Sequence, residues 1–307
     1  MAITQRQWIG MTLATLAVVV GMTFALGYAT DPYGVWRDPS GRKLRIYFAE
    51  RKAKFLMSKR YVPTNFDGLL IGPSSSSNWS PDGIAGYRIY NESVLGANVS
   101  EERRFVDQAL KAGHFKLAIC ILYPTMTDNH DMMDGLDTVT SSEAFASIHV
   151  LVHETSAMLS AFHRSLGKSP GTPSGSAVMT GTQFFDLNSL PAEYFALDPI
   201  AVKDYPEMLQ SLQSHGVTIV YVVPALYQSC YNLGTNKERL ETYLDSIRTL
   251  LPQGPVINFY EPEFAKLWGN KENYIDCFHL NPQGADLINQ MLARKVPAAI
   301  ADISAAR

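Results

Sequence analysis

The run Leu117-Ala118-Ile119-Cys120-Ile121-Leu122 is apolar throughout, and at six residues it is too short for a self-standing helix. Such a run describes a strand covered on both faces, the usual situation in a parallel sheet. Gly68-Leu69-Leu70-Ile71 and Thr-Ile-Val-Tyr-Val-Val at 218–223 repeat the pattern, and weaker strands are expected at 88–94 and 256–259. Helical segments lie between them, at 100–111, 200–215 (closed by Gly216), 238–250 and 282–292, the last with Pro282 in its first turn. Strands alternating with helices predict an α/β fold, a mostly parallel sheet covered by helices on both faces in three layers.

The N-terminus sets a second constraint. No charged side chain occurs between Arg6 and Asp31, and Trp8 and Tyr28 bracket the apolar run. About 20 apolar residues cross a bilayer as a helix, with amphipathic aromatics favoured at its two interfaces. Residues 1–30 therefore read as one transmembrane anchor. A cleaved signal peptide competes, with a small-x-small site at Gly27 and Ala29 and a positive start from Arg6. The length of the run favours a retained anchor in the inner membrane, and either reading exports the rest of the chain to the periplasm. Arg37, Arg42, Lys43 and Arg45 come after the run, so charge asymmetry supports this orientation only weakly. A linker and juxtamembrane helix (44–58) are expected over 31–65, with the basic stretch 42–60 forming a solvated face or leaning on anionic lipid. The α/β domain then fills 66–307, interrupted by an insertion at 125–198 with a helical patch at 142–164.

A net charge of −3 with both signs interspersed argues against a nucleic-acid partner, which requires a concentrated basic face. The three cysteines, Cys120, Cys230 and Cys277, permit at most one disulfide, and no zinc-like Cys/His spacing occurs. No metal or cofactor is expected.

In an open parallel sheet, ligands bind outside the carboxyl ends of the strands. The first strand ends there in Gly72-Pro73-Ser74, with Ser75, Ser76, Ser77 and Asn78 behind it. A serine at this place is either a nucleophile or a polar turn and helix cap. Near the other end stands Asp276-Cys277-Phe278-His279-Leu280-Asn281-Pro282, just ahead of the last helix. An imidazole can take a serine proton, and an aspartate three residues earlier can hold its far nitrogen. Either element alone is weak, but the order strand–Gly-x-Ser, Asp-x-x-His, closing helix is specific.

These two blocks resemble the first and last motifs of the SGNH (GDSL-like) hydrolases. The anchor, Tyr90-Asn91 leading to Gly96, and His279-Leu280-Asn281-Pro282-x-Gly284 look closest to the membrane-anchored branch. That branch includes the AlgJ and AlgX proteins of alginate O-acetylation and the DltD proteins of teichoic-acid D-alanylation. The resemblance covers about 66–292 and implies a flavodoxin-like SGNH fold. It also implies Ser74 as nucleophile, His279 as base, Asp276 as its orienting partner, and oxyanion donors at the Ser74 and Gly96 N–H groups. The family's third-strand Gly-x-Asn-Asp is absent; that strand runs into Tyr123-Pro124-Thr125, where Tyr123 either supplies a third donor or faces the core. Pro73 stands where Asp is frequent, and Ser75 is a rival nucleophile.

The expected function is an extracytoplasmic O-acetyltransferase or acetyl relay acting on a glycan. Its acyl donor would arrive from a membrane partner, by resemblance an MBOAT-type acyltransferase. A carbohydrate esterase and a non-catalytic glycan- or partner-binding scaffold are the alternatives. Asp128, His130, Asp131 and Asp134 read as loop polarity rather than a metal site, and His149, His153 and His163 lack a third-ligand pattern. Cys277 reads as a small packed residue. Asn78, Asn91 and Asn98 each open a glycosylation sequon, which says little without the host.

Overall fold

The computed structural model describes residues 4–30, 50–128 and 195–305. The N-terminal segment forms helix α1 (Gln5–Thr30), long and apolar enough to cross a membrane or to serve as a signal sequence. None of its apolar span is buried, and Trp8, Leu13, Leu16 and Met22 all face outward. Most of the expected insertion, with its helical patch and His130, Asp131, Asp134, His149, His153 and His163, lies outside the described residues.

The domain begins with α2 (Glu50–Ser58) and α3 (Tyr61–Asn65), then β1 (Gly68–Ile71), β2 (Ile89–Asn91) and α4 (Val99–Leu110). Strand β3 (Leu117–Ile121), α5 (Pro199–Ser214) and β4 (Thr218–Val223) come next. The chain closes with α6 (Gln228–Tyr231), α7 (Asn236–Arg248), β5 (Val256–Asn258), α8 (Ala265–Trp268) and α9 (Pro282–Ala305). The five strands are all parallel, in the order β2-β1-β3-β4-β5.

Every residue of β1 and β3 is buried, so both faces of the sheet are covered there. The usual right-handed hand of parallel crossovers calls for α4, α5 and α7 on one face, where α4 and α5 pack together. Helix α9 packs on β4, β5 and the turn Pro81–Gly83 and closes the other. The result is a three-layer α/β/α sandwich of flavodoxin-like topology. Strand order reverses at β1: the chain leaves β1 for β2, then returns past it to β3. Loops from the carboxyl ends of β1 and β3 therefore diverge and leave a crevice between them.

Three expectations need correcting. The edge strands β2 and β5 are shorter than 88–94 and 256–259, since each has one partner strand and little ladder to hold its ends. Helix α9 continues past Leu292 to Ala305, where buried Val296 keeps it on the sheet. The basic stretch is not simply a solvated face. Lys54 is fully buried, its ammonium donating to the Asn91 and Ser93 carbonyls, and Arg51 pairs with Glu101. A buried cation is tolerated because the two carbonyl oxygens take the place of its water.

Candidate active site

The Ser74 turn is made by the abrupt end of β1. Pro73 is extended (φ −84°, ψ −168°), and the chain then tightens into a 3-10 turn over Ser74–Ser76. Gly72 has to lack a side chain: a Cβ there would lie 2.5 Å from Ser76 Oγ and 2.6 Å from Ile121 Cγ1. Asn91, at the end of β2, clamps the turn by donating its amide to the carbonyls of Ser76 and Trp79, both at 2.8 Å. Ser76 Oγ donates to Pro73 O and lies 2.8 Å from Ser93 Oγ. Together these contacts fix the turn from the strand behind it and from the strand beside it.

The Asp276–His279 loop is folded on its own carboxylate. Asp276 Oδ1 accepts the backbone N–H groups of Phe278 (2.9 Å) and His279 (2.7 Å), which turns the chain back on itself. Its other oxygen lies 2.6 Å from His279 Nδ1, and His279 Nε2 lies 2.9 Å from Ser74 Oγ. Burial alone would raise the Asp276 carboxyl. The hydrogen bond from His279, its charge and the two backbone donors outweigh burial and hold the carboxyl below its ordinary value. An ionised Asp276 accepts from Nδ1–H, which leaves Nε2 as the acceptor facing the serine hydroxyl. The chain Asp276–His279–Ser74 is thus continuous and oriented for removal of the serine proton.

The two halves of the site, 205 residues apart in sequence, are also tied by Asn78, whose amide donates to Leu280 O at 2.6 Å. Asn281 secures the far end of the loop: its side chain accepts from the Gly284 N–H at the start of α9 and its amide donates to Glu272 O. Cys277 is not a free packed residue. It forms a disulfide with Cys230 of α6, and the Tyr227 N–H donates to Cys277 O beside it. The pairing joins residues 47 apart with Cα atoms at 5.7 Å, a proximity that only the fold creates.

The remaining candidates separate cleanly. Ser75, the rival nucleophile, is 2% exposed and its hydroxyl has no partner, whereas Ser74 is half-buried and meets His279. Tyr123 is buried, its ring centroid 6.3 Å from that of Phe278 in the histidine loop, and its carbonyl accepts from the Tyr243 hydroxyl. Gly96 sits at φ +64° in the turn closed by Ala97 N–H to Val94 O, the third position of a turn that calls for glycine. Asn78, Asn91 and Asn98 all have engaged side chains, Asn98 as the N-cap of α4. Asp128 ends the described stretch after β3. No group of three potential metal ligands occurs among the described residues. Sequence reasoning missed Asn91 as a clamp, Asn78 as a tie, and Cys230. Of these, Asn91 carried the one available signal, a polar residue at the carboxyl end of a strand.

No protein-family model and no curated protein matches the sequence. Several solved structures are similar in fold. One is described as a platelet activating factor from Streptococcus pneumonia (11% identity, 80% of this chain and 91% of that chain, TM-score 0.44). Another is a lipase/acylhydrolase from Enterococcus faecalis (10% identity, 75% and 94%, TM-score 0.38). A third is a GDSL-like lipase from Bacteroides thetaiotaomicron (9% identity, 76% and 88%, TM-score 0.37). At such identity the likeness is one of chain course and assigns no role to Ser74, Asp276 or His279.

Proposed function

We propose that this chain is an extracytoplasmic serine acyl-handling enzyme of the SGNH type that transfers an acyl group, most simply acetyl, to a glycan hydroxyl. The observation that carries the reading is the unbroken Asp276–His279–Ser74 hydrogen-bond chain at the carboxyl end of β1. Ser74 Oγ attacks the acyl carbonyl while its proton passes to His279 Nε2. The resulting imidazolium is stabilised by Asp276, and the oxyanion rests on the Ser74 and Gly96 N–H groups. Collapse expels the donor's leaving group, which takes the proton from His279, and leaves acyl-Ser74. A sugar hydroxyl then gives its proton to His279 and attacks the acyl carbon, and Ser74 departs with that proton restored. Water in place of the sugar makes the same residues an esterase.

Two features support an exported setting. Helix α1 suits a membrane anchor in the inner membrane, and a disulfide beside the histidine is at home in an oxidising compartment such as the periplasm. A donor delivered by a multispanning, MBOAT-type membrane partner fits a domain tethered at that surface; this step is by analogy.

The test uses the full-length chain in detergent with p-nitrophenyl acetate. Mass spectrometry should find an acetyl adduct on Ser74 that Ser74→Ala abolishes. Added oligosaccharide acceptors should divert product from acetate to acetylated sugar. Absence of both adduct and turnover would overturn the enzymatic reading.

A further inference from the structure

Beyond Asn91, the edge of the sheet keeps a strand-like alternation after regular pairing has ended. The N–H groups of Glu92 and Val94 point inward and donate to Leu70 O (2.8 Å) and Gly72 O (3.2 Å). The intervening carbonyls, of Asn91 and Ser93, point outward, and Lys54 of α2 takes both. The next outward carbonyl is that of Leu95, and Arg51, one turn earlier on the same face of α2, takes it at 2.5 Å through Nη2. In a trans peptide the C=O and N–H point in opposite directions. Holding Leu95 O outward therefore aims the N–H of Gly96 inward. Val94 N–H donates to Gly72 O, two residues ahead of Ser74, so the turn that carries Gly96 emerges beside the Ser74 turn.

We propose that Arg51 is a positioning residue for the oxyanion donor: by gripping the Leu95 carbonyl it orients the Gly96 N–H toward the oxygen of the carbonyl that Ser74 attacks. The inference rests on the acyl-serine reading above. Arg51 is itself held in place. Its Nε donates to Glu101 Oε1 at 2.9 Å, and Glu101 completes the capping box of α4 with Asn98. A planar guanidinium can serve both acceptors at once, which a point-charge ammonium cannot do as well. The helix that controls this donor is also the first described element after α1, separated from it by residues 31–49.

The test compares an acetate ester with its thionoester, in which sulfur replaces the carbonyl oxygen. Sulfur is a poor acceptor of hydrogen bonds, so an intact oxyanion site favours the oxygen ester well beyond the uncatalysed ratio. Removing an oxyanion donor outright costs about 10²–10³ in kcat. In the full-length chain, Arg51→Met should lower kcat for the ester by about 10- to 100-fold, with KM little changed, and should reduce the oxygen-to-sulfur rate ratio by a similar factor. Arg51→Lys should recover part of both, because it restores a cationic donor within reach of Leu95 O. A variant with merely loosened structure loses both substrates in proportion, so an unchanged ratio in Arg51→Met overturns the proposal even if kcat falls. Should Arg51→Met fail to fold by thermal unfolding, Glu101→Gln carries the test, with an intermediate fall in the ratio expected and an unchanged one overturning it. Failure of the underlying reading looks different: the wild-type chain itself then shows no Ser74 adduct and no ester turnover.

Discussion

Asp276→Asn isolates the part of the site on which the chemistry depends most. The carboxylate has two separate tasks: Oδ1 accepts two backbone N–H groups at 2.9 and 2.7 Å, while Oδ2 faces His279 Nδ1 at 2.6 Å. An introduced amide must keep its carbonyl oxygen on the two N–H groups, which places its NH2 against the ring. That NH2 cannot accept from Nδ1–H, so the imidazole changes tautomer and carries its proton on Nε2. Nε2, 2.9 Å from Ser74 Oγ, then donates to the hydroxyl it should deprotonate. A serine site with the wrong tautomer loses about 10⁴ in kcat, equivalent to about 5.5 kcal/mol of barrier. The fold loses less, about 1.5–3 kcal/mol for one charge-assisted hydrogen bond, against a typical total stability of about 5–15 kcal/mol. With p-nitrophenyl acetate and the full-length chain, kcat should fall by about four orders of magnitude at nearly constant KM, with a folded protein. A kcat within tenfold of wild type, or a loss carried by KM, would refute the tautomer argument.

Three further outcomes rest on the same geometry. Reducing the Cys230–Cys277 disulfide, or replacing either cysteine by Ser, should cost about 2–4 kcal/mol in urea unfolding and slow Ser74 acylation, because the cross-link ends inside the histidine loop. Gly72→Ala should destabilise the chain by about 1–3 kcal/mol and depress kcat, since the added methyl overlaps Ser76 Oγ and Ile121; a neutral effect on unfolding would mean the turn has room to move. Asp276, held below its ordinary carboxyl value of 3.8, stabilises the fold only while ionised. That contribution is complete above pH 3.8 and is lost as pH falls through the lower folded value. The stability gap between wild type and Asp276→Asn should therefore narrow below pH 3.8 and stay constant above it.

The parts of the fold that sequence made plain are those whose side chains are governed by local burial. β1, β3 and β4 lie inside the sheet, so nearly every residue in them is apolar and their limits are easily seen. β2 and β5 lie at its edges, where one partner strand leaves the limits to tertiary contacts. Ser74, Asp276 and His279 were legible because chemistry narrows the choice at fixed places: a serine off the first strand, an acid and an imidazole ahead of the last helix. Lys54 was not legible, because a lysine in a basic run looks solvated until β2 supplies carbonyls for it. The Cys230–Cys277 pairing was hidden for a similar reason, since it depends on α6 being brought alongside the histidine loop.

Two segments remote in sequence meet at this site, with the Gly96 turn emerging from the neighbouring strand, and each has its own means of being held. The histidine loop is fixed by the Asp276 turn, the disulfide and Asn78. Asn91 and the tight approach of Gly72 to Ile121 fix the Ser74 turn. The turn at Gly96 is held from outside the sheet by α2. The sheet alone could not do this work, because β1 and β2 end before the reactive groups begin. What the sheet supplies is register: the parallel pairing of β1 with β2 sets the level at which their loops emerge, and Glu92 and Val94 carry that register beyond the last paired position. Error in the pairing of β1 with β2 would shift the Ser74 turn and the Gly96 turn relative to one another. Error in α2 would move the oxyanion turn alone. Under the proposed mechanism acyl transfer depends on the mutual spacing of the Ser74 hydroxyl and the Gly96 N–H, so the β1–β2 register and the seat of α2 both bear on it.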